Sequence, residues 1–261
     1  MSLLKVDSLS VNYGTEGDTL KHVSFDIAYG EVVGIIGESG SGKSTIARAI
    51  LNILPKNTTS LDGNIIYKNK CLNTFTEKEW RAVRGREIAI IFQNPSHYLN
   101  PIVKIKKQFI ETIICNKKIS KNKALEIAKH QLRQMNLTQV DKILNSYPFE
   151  LSGGMLQRVM IAMIFAIEPK LIIADEPTSS LDVITQNIIV RELLRLKEEL
   201  KTSIIFITHD LSLASHIADK VIVIKEGEIV ETGIKNEVLK NPKHQYTQQL
   251  IDSVFKLGDI Q

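Results

Sequence analysis

The stretch of sequence that decides the fold reads Gly37-Glu38-Ser39-Gly40-Ser41-Gly42-Lys43-Ser44-Thr45. It fits the pattern G-x-x-x-x-G-K-[ST], and it lies between a strand-like apolar run at residues 31–36 and apolar residues with helical spacing over 44–54. Its glycines let the backbone wrap closely around phosphate, with N–H groups pointing inward at the positive end of the following helix. We therefore predict a phosphate-binding loop in which all the quoted residues contact a nucleotide, Lys43 reaches the terminal phosphates and Ser44 binds magnesium. The alternative, a surface turn rich in Gly and Ser, is disfavoured by the flanking segments.

Two adjacent carboxylates end another apolar run. Residues 171–174 have the composition of a buried strand, and they lead directly into Asp175 and Glu176. A buried strand has no structural need to end on adjacent charges. We expect Asp175 to hold magnesium, directly or through water, and Glu176 to be the base that orients and deprotonates an attacking water. The alternative, that both carboxylates only cap the next segment, is disfavoured by Pro177 and by the phosphate-binding loop.

Strand-like and helix-like segments alternate over most of the chain. Short apolar runs before residue 36 and at 64–67 and 87–92 predict strands, whereas residues 95–149 show helical spacing. Further along, predicted strands at 171–174, 203–208, 220–225 and 228–231 alternate with predicted helices at 152–167, 183–201 and 211–218. This order predicts a largely parallel core sheet. We predict a single domain over residues 1–261, with a core from 1–93 and 150–261 and a helical insertion at 94–149 whose last helix continues into the following segment.

Composition excludes several classes of protein. The chain has 261 residues and is 43% hydrophobic, which suits one large domain or one domain with an inserted subdomain. Its longest apolar run, residues 159–167, is far shorter than the roughly 20 residues of a membrane-crossing helix, and its N-terminus lacks a secretory pattern, so we expect a cytoplasmic location.

Cys71 and Cys115 lack the spacing of a zinc site or a disulfide framework. The net charge of +4 is modest, and the lysines over 104–123 are typical of a solvated helical face, since no nucleic-acid-reading motif accompanies them.

A third motif links these features to a family. The sequence Leu151-Ser152-Gly153-Gly154-Met155-Leu156-Gln157 opens a predicted helix, and on its own it could be an ordinary N-cap. With the loop and the carboxylate pair, it resembles the signature of the ABC (ATP-binding cassette) family, and the resemblance covers residues 3–250. The resemblance implies an α/β fold of the P-loop NTPase ABC cassette type, with a largely parallel core sheet, an N-terminal antiparallel β subdomain and an inserted helical subdomain. In the family this helix N-terminus completes the ATP site of a second subunit, so two subunits meet head to tail. The signature residues expected to act on the partner's nucleotide are Ser152, Gly153, Gly154, Met155 and Gln157.

Other positions match the family one by one. Tyr13 resembles the aromatic residue that stacks on adenine, and Gln93 resembles the residue that senses magnesium and the attacking water. Ser180-Leu181-Asp182 resembles the D-loop, which crosses the dimer interface, and His209 resembles the switch histidine that contacts the γ-phosphate. Each has a plain structural alternative: a strand aromatic, a loop glutamine, a helix N-cap and a polar residue at a strand end. The resemblance implies ATP and Mg²⁺ as ligands, with Glu176, His209 and Gln93 as catalytic residues and Ser44, Gln93 and Asp175 around the magnesium ion.

Three segments resemble the peptide/nickel importer branch of the family. They are Gln93-Asn94-Pro95 followed by Leu99-Asn100-Pro101, Tyr147-Pro148-Phe149 before the signature with its Met155, and 241–250, where Gln245 replaces a proline of the branch. This branch implies two transmembrane permease subunits, a second ATPase that is a different chain, a solute-binding protein, a place on the cytoplasmic face of the membrane, and no nucleic acid.

Comparison with other members of the family also bears on the cargo and on functions other than transport. Peptide-handling members continue into an extension with cysteines, and this chain has no Cys after Cys115, which favours nickel or a metal chelate over a peptide. A soluble ABC ATPase of translation or DNA repair usually has two fused cassettes or a long coiled-coil insertion, and neither is visible. A phosphate-loop kinase would leave the signature and His209 without a role.

Overall fold

The computed structural model describes residues 2–14, 18–56, 58–179 and 181–258. Its strands are β1 (Ser2–Asn12), β2 (Asp18–Ala28), β3 (Val32–Ile36), β4 (Ser60–Tyr67), β5 (Lys70–Cys71), β6 (Ile88–Ile91), β7 (Leu171–Asp175), β8 (Ser203–Thr208), β9 (Lys220–Lys225) and β10 (Glu228–Ile234). Its α-helices are α1 (Lys43–Ile50), α2 (Glu77–Val83), α3 (Ile105–Asn116), α4 (Lys121–Gln134), α5 (Val140–Asn145), α6 (Gly153–Ile167), α7 (Val183–Leu200), α8 (Leu211–Ile217), α9 (Lys235–Lys240) and α10 (Gln245–Gly258). The predicted strands and helices after residue 150 are confirmed to within a few residues.

The chain divides into two compact units, residues 1–82 with 203–261 and residues 83–202. In the first unit, β2, β1, β4 and β5 form an antiparallel sheet in that order, and the alternation of buried and exposed residues in β2 shows that one face of this sheet is solvated. In the same unit β3 pairs in parallel with β8 and β9, and β10 pairs antiparallel with β9. Every residue of β3 and β8 is buried, as expected for parallel strands covered on both faces.

Helix α10 packs into the core of the first unit and has no counterpart among the predicted elements. Its Tyr246 and Ile251 are buried in a cluster with residues of α8 and with Ile36, Val221 and Val223 of β3 and β9. The C-terminal segment therefore packs against the strand that leads into the predicted phosphate-binding loop.

The second unit places its polar motifs at the carboxyl ends of a parallel strand pair. Strands β6 and β7 pair with Ile88 opposite Leu171 and Ile91 opposite Ala174. Helix α6 is buried at every residue from Val159 to its end at Ile167. Helices α3, α4 and α5 lie in the predicted insertion, whose boundaries at 94 and 149 fall inside this unit and stay a prediction. None of the helices in the described ranges combines the length and the apolar composition that a membrane crossing requires.

Candidate active site

The backbone of the predicted phosphate-binding loop is packed too closely to accept side chains at two glycines. Gly42 caps α1 with φ of 101°, and a Cβ there would lie 2.6 Å from Leu20 Cδ2 and 2.9 Å from the Thr19 carbonyl oxygen. A Cβ on Gly37 would overlap the Ile224 carbonyl oxygen. The glycines therefore let the loop follow a tight path against β2 and β9 that other residues would block.

Lys43 lies inside this loop. The residue is 5% exposed, and its ammonium group donates to the carbonyl oxygens of Gly37 at 2.8 Å and Glu38 at 2.6 Å, with Ser41 Oγ at 3.5 Å. A phosphate group bound in the loop would offer this ammonium group charged oxygens, which form stronger hydrogen bonds than neutral carbonyls. The structure thus places a buried positive charge where the sequence predicts phosphate binding.

Two contacts hold the loop from outside, and sequence reasoning missed the residues that make them. The Gly227 N–H, in the turn between β9 and β10, donates to the Ser41 carbonyl oxygen at 3.2 Å. The Glu38 N–H donates to the Tyr246 hydroxyl at 3.1 Å. The sequence signal for the first is a glycine in a turn between two strands, and for the second a tyrosine in an element that we noted only as a family feature.

Two further predicted residues belong to the same unit as the loop. Strands β3 and β8 pair in register with Ile36 opposite Thr208, so the loop and His209 both follow the carboxyl ends of neighbouring parallel strands. His209 is exposed. Tyr13, just after β1, donates from its hydroxyl to Thr45 Oγ1 at 3.3 Å. The structure therefore places both residues beside the loop, while their roles toward adenine and the γ-phosphate stay predictions.

The carboxylate pair is in the second unit, and Gln93 holds its second member, Glu176. Asp175 ends β7 and is 7% exposed, and Glu176 adopts φ of 47°, a left-handed conformation that is uncommon for residues other than glycine. The Gln93 amide nitrogen donates to Glu176 Oε2 at 2.9 Å and to Ser179 Oγ at 3.3 Å. The strained backbone at Glu176 is of the kind that concentrates at active sites. Gln93 thus fixes the direction of the carboxylate that we predict to be the base.

Gln157 of the signature segment is buried, with 1% exposure. Its amide nitrogen donates to the Phe92 carbonyl oxygen and to the Pro177 carbonyl oxygen, both at 3.1 Å. It therefore connects α6 to the segments that follow β6 and β7. Its predicted role at a partner's nucleotide stays a prediction, while these contacts give it a role inside its own subunit.

The start of α6 is open to solvent. Ser152 and Gly153 are exposed, Gly154 and Met155 are half-buried, and the Met155 N–H donates to Ser152 Oγ at 3.3 Å. A Cβ on Gly154 would lie 3.3 Å from Leu181 Cδ2, so the D-loop packs against this turn. An exposed helix N-terminus with glycines is a suitable site for an anion.

The D-loop is described in part. Ser180 lies outside the described residues. Asp182 caps α7 by accepting from the Thr185 N–H at 2.9 Å and from Thr185 Oγ1 at 2.8 Å, and these bonds lower the pKa of Asp182. Burial lowers the pKa of Arg158, and the nearby negative charge of Asp182 acts in the opposite direction. Asp182 therefore carries a negative charge beside α6 as well as capping α7.

The sequence model of the family described as ABC transporter matches residues 20–179, which run from β2 to just beyond the carboxylate pair. The chain belongs to the ABC transporter family. It is 43% identical to the oligopeptide transport ATP-binding protein OppD of Bacillus subtilis, over 97% of this chain and 72% of that protein. It is 37% identical to the metal-staphylopine import system ATP-binding protein CntD of Staphylococcus aureus, over 99% of this chain and 96% of that protein.

Solved structures agree with this membership. A dimeric ATP-binding cassette in a post-hydrolysis state, bound to ADP and Pi, superposes with a TM-score of 0.79 at 29% identity, covering 89% of this chain and 98% of that one. The cassette cbiO1 of Clostridium perfringens, part of the ABC transporter complex cbiONQ, gives 0.75 at 28% identity over 99% of both chains. The predicted ABC cassette fold and the predicted ATPase activity are confirmed: this ABC protein is an ATP-binding, ATP-hydrolysing enzyme.

Proposed function

We propose that this ABC ATPase powers an importer, as a peripheral subunit at the cytoplasmic face of the membrane. The hydrogen bond from Gln93 to Glu176 carries the catalytic half of this proposal, because it holds a carboxylate at a strained strand end in one direction. The names of the relatives, which are transport and import ATP-binding proteins, support the importer half.

The chemistry divides among the predicted residues. Lys43 and the loop N–H groups bind the phosphates of ATP. Glu176 accepts a proton from the attacking water and orients it, and Gln93 keeps the Glu176 carboxylate in place. His209 contacts the γ-phosphate. In such reactions the protein contributes positioning and charge compensation rather than covalent chemistry.

Magnesium fits the donor set that these residues offer. Ser44 of the first unit offers a hydroxyl oxygen, and Asp175 and Gln93 of the second unit offer carboxylate and amide oxygens. Oxygen atoms are the ligands that Mg²⁺ prefers, and Mg²⁺ usually takes few protein ligands beside phosphate and water. The amide nitrogen of Gln93 makes the bonds to Glu176 and Ser179, so its oxygen is the atom for a metal. When bound, the ion would neutralise developing charge on the phosphates.

A second ATPase subunit completes the arrangement. The exposed start of α6, with Ser152 and its glycines, would meet the γ-phosphate on a partner that binds head to tail. That the similar solved cassette is dimeric supports a pair of ATPase subunits. We propose that the partner is a different chain, and that Leu181 and Asp182 cross the interface next to this turn.

Purification of the tagged full-length chain from detergent-solubilised membranes of its native cells, followed by mass spectrometry, tests the importer assignment. We expect two polytopic permease subunits and a second ABC ATPase, with a solute-binding protein encoded nearby. Association with ribosomes or DNA in the absence of permeases would contradict the assignment, because it would place the chain among the soluble ABC ATPases.

An apolar patch on the second unit supports attachment to permeases. Ile102 is 79% exposed and Phe149 is 72% exposed, and the Phe149 ring stacks on Tyr147 with ring centroids 5.6 Å apart. The Lys104 ammonium lies 5.7 Å from the centre of the Tyr147 ring, which brings the segment after Ile102 to these aromatic residues. Exposed apolar patches of this kind mark interaction sites.

The variant Ile102→Asp is expected to weaken recovery of the permeases at least about tenfold, since a buried unpaired charge costs more than about 1.4 kcal/mol. The affinity for ATP should not change. The matched control is Ile234→Asp, at an isoleucine of the first unit that is 59% exposed. Equal recovery of permeases with both variants would show that the apolar patch does not bind them.

Two cargo classes agree with the relatives, which include peptide transporters and a metal-staphylopine importer. The ATPase itself would not touch the cargo, so the scattered histidines do not identify it. We propose import of a short peptide or a metal chelate, with nickel as the metal predicted from the sequence. Calorimetric titration of the matching solute-binding protein with short peptides, with Ni²⁺ and with a Ni²⁺ chelate would separate these classes, and binding of none of them would contradict the proposal.

A further inference from the structure

The hydroxyl of Tyr246 connects α10 to the phosphate-binding loop by a side-chain hydrogen bond. It accepts the Glu38 N–H at 3.1 Å, across 208 positions of sequence. Helix α10 begins at Gln245, so Tyr246 lies in its first turn. None of the nucleotide-binding roles described above assigns a function to this hydrogen bond.

The tyrosine is held rigidly on its own side. Its ring is 4% exposed and packs in the cluster that contains Ile36, the residue directly before the loop. The Lys225 ammonium lies 5.0 Å from the centre of the ring, a favourable cation–π distance. Burial raises the pKa of Tyr246, so the hydroxyl stays protonated and neutral.

The start of α10 is also anchored. The Glu231 carboxylate of β10 accepts the N–H groups of Lys243 at 2.8 Å and His244 at 3.1 Å. The Tyr246 N–H donates to His244 Nδ1 at 3.1 Å. Buried packing and these bonds restrict the position of the Tyr246 hydroxyl, so the Glu38 N–H of the loop has a hydrogen-bond acceptor at a fixed position.

On the loop side, Glu38 is held through its backbone from two directions. Its N–H donates to Tyr246, and its carbonyl oxygen accepts from the Lys43 ammonium at 2.6 Å. The side chain of Glu38 is exposed, so the backbone is the part that the surrounding structure controls. The Glu38 carbonyl oxygen also accepts the Ser41 N–H at 3.2 Å, so the orientation of this peptide segment depends on two residues inside the loop and on Tyr246 of α10.

We propose that Tyr246 is a positioning residue for nucleotide binding: its hydroxyl fixes the backbone of Glu38, so that the loop is already arranged to receive phosphate. The proposal rests on the assignment of residues 37–45 as the nucleotide-binding loop. Binding is tighter when the receiving groups are ordered beforehand, because less conformational entropy is lost when the ligand arrives. A hydroxyl on the C-terminal helix would then contribute to ATP affinity without touching ATP.

The test is Tyr246→Phe, which removes the hydroxyl and keeps the ring. In the full-length chain we expect the dissociation constant for ATP to rise about two- to tenfold, the range for one net hydrogen bond. In the transporter, KM for ATP should rise while kcat stays the same, and any fall in Tm should be smaller than in the packing variant Ile251→Val, because the ring of Tyr246 and its packing remain. The matched control is Tyr29→Phe, at a tyrosine of the same unit that is 54% exposed, where no change in ATP affinity is expected.

A second variant separates positioning from general loss of packing. Ile251→Val removes a methylene from the same buried cluster, and it should lower Tm without weakening ATP binding. The proposal is overturned if Tyr246→Phe leaves ATP affinity unchanged, if it lowers kcat alone, or if both variants weaken ATP in proportion to their loss of Tm. Failure of the loop assignment itself would show differently, as normal ATP affinity in Lys43→Ala.

Discussion

Replacing Glu176 by glutamine is expected to slow ATP hydrolysis by about 10² to 10⁴, or roughly 3 to 5 kcal/mol in the activation free energy, with ATP binding intact. The substitution removes the proton acceptor but keeps the size of the side chain and an oxygen that can accept the Gln93 amide N–H, which now lies 2.9 Å from Glu176 Oε2. Steady-state release of phosphate and equilibrium binding of ATP measure the two effects separately. Because ATP binds but does not turn over, we also expect this variant to trap the ATPase pair in a closed, ATP-bound dimer.

The matched control for this prediction is Glu168→Gln. Glu168 has a similar left-handed backbone, with φ of 52°, but it is the C-cap residue directly after α6 and pairs with Lys117 at 3.0 Å. Its substitution should leave turnover unchanged. Wild-type turnover in Glu176→Gln would remove Glu176 from the role of base.

Replacing Lys43 by alanine is expected to weaken ATP binding about ten- to hundredfold, since hydrogen bonds to charged groups contribute about 1.5 to 3 kcal/mol. The ammonium group is buried inside the loop and now binds the carbonyl oxygens of Gly37 and Glu38. Titration of the full-length chain with ATP, with Tm recorded for each variant, distinguishes lost binding from lost folding.

Lys56→Ala is the control for the loss of positive charge, because Lys56 is exposed in the same unit. It should bind ATP as tightly as the unmodified chain. An unchanged dissociation constant for ATP in Lys43→Ala would contradict the assignment of the phosphate-binding loop.

Local sequence patterns predicted the elements that carry the main motifs. Strands β8 and β9 have the predicted bounds, because uninterrupted apolar runs between polar residues leave few other structures. The loop at Lys43 and the carboxylate pair after β7 could be predicted for the same reason: each polar motif directly follows an apolar run that must be a buried strand. Within the first unit, parallel pairing of β3 with β8 brings the loop and His209 to the same end of their strands.

Contacts between distant segments could not be predicted from local sequence patterns. Gln157 looks like one more polar residue of the signature, and its buried bonds to Phe92 and Pro177 depend on how α6 packs in the fold. The bond between Glu38 and Tyr246 joins residues 208 positions apart. The helical spacing of Tyr246, Leu250 and Ile251 could have predicted α10, but no local pattern shows which loop its tyrosine contacts.

The backbone at Glu176 is a further feature that sequence reasoning did not predict. Nothing in an Asp-Glu-Pro sequence specifies φ of 47° at the glutamate, since left-handed backbone is expected first at glycine or asparagine. Side-chain contacts hold this residue: the Gln93 amide donates to the Glu176 carboxylate, and the Ser179 hydroxyl donates to the Glu176 backbone carbonyl oxygen at 3.3 Å. Other non-glycine residues, such as Glu168, also have left-handed backbone, and Glu176 is the one of them that we predict to carry the chemistry.

The most direct test of the central claim is ATP-dependent uptake of cargo by proteoliposomes that contain this chain, the second ATPase, the two permeases and the solute-binding protein. We predict uptake with the unmodified chain and its loss, by about 10² or more, when only this chain carries Glu176→Gln. Uptake that continues at the unmodified rate with Glu176→Gln, or that does not require this chain, would contradict the account.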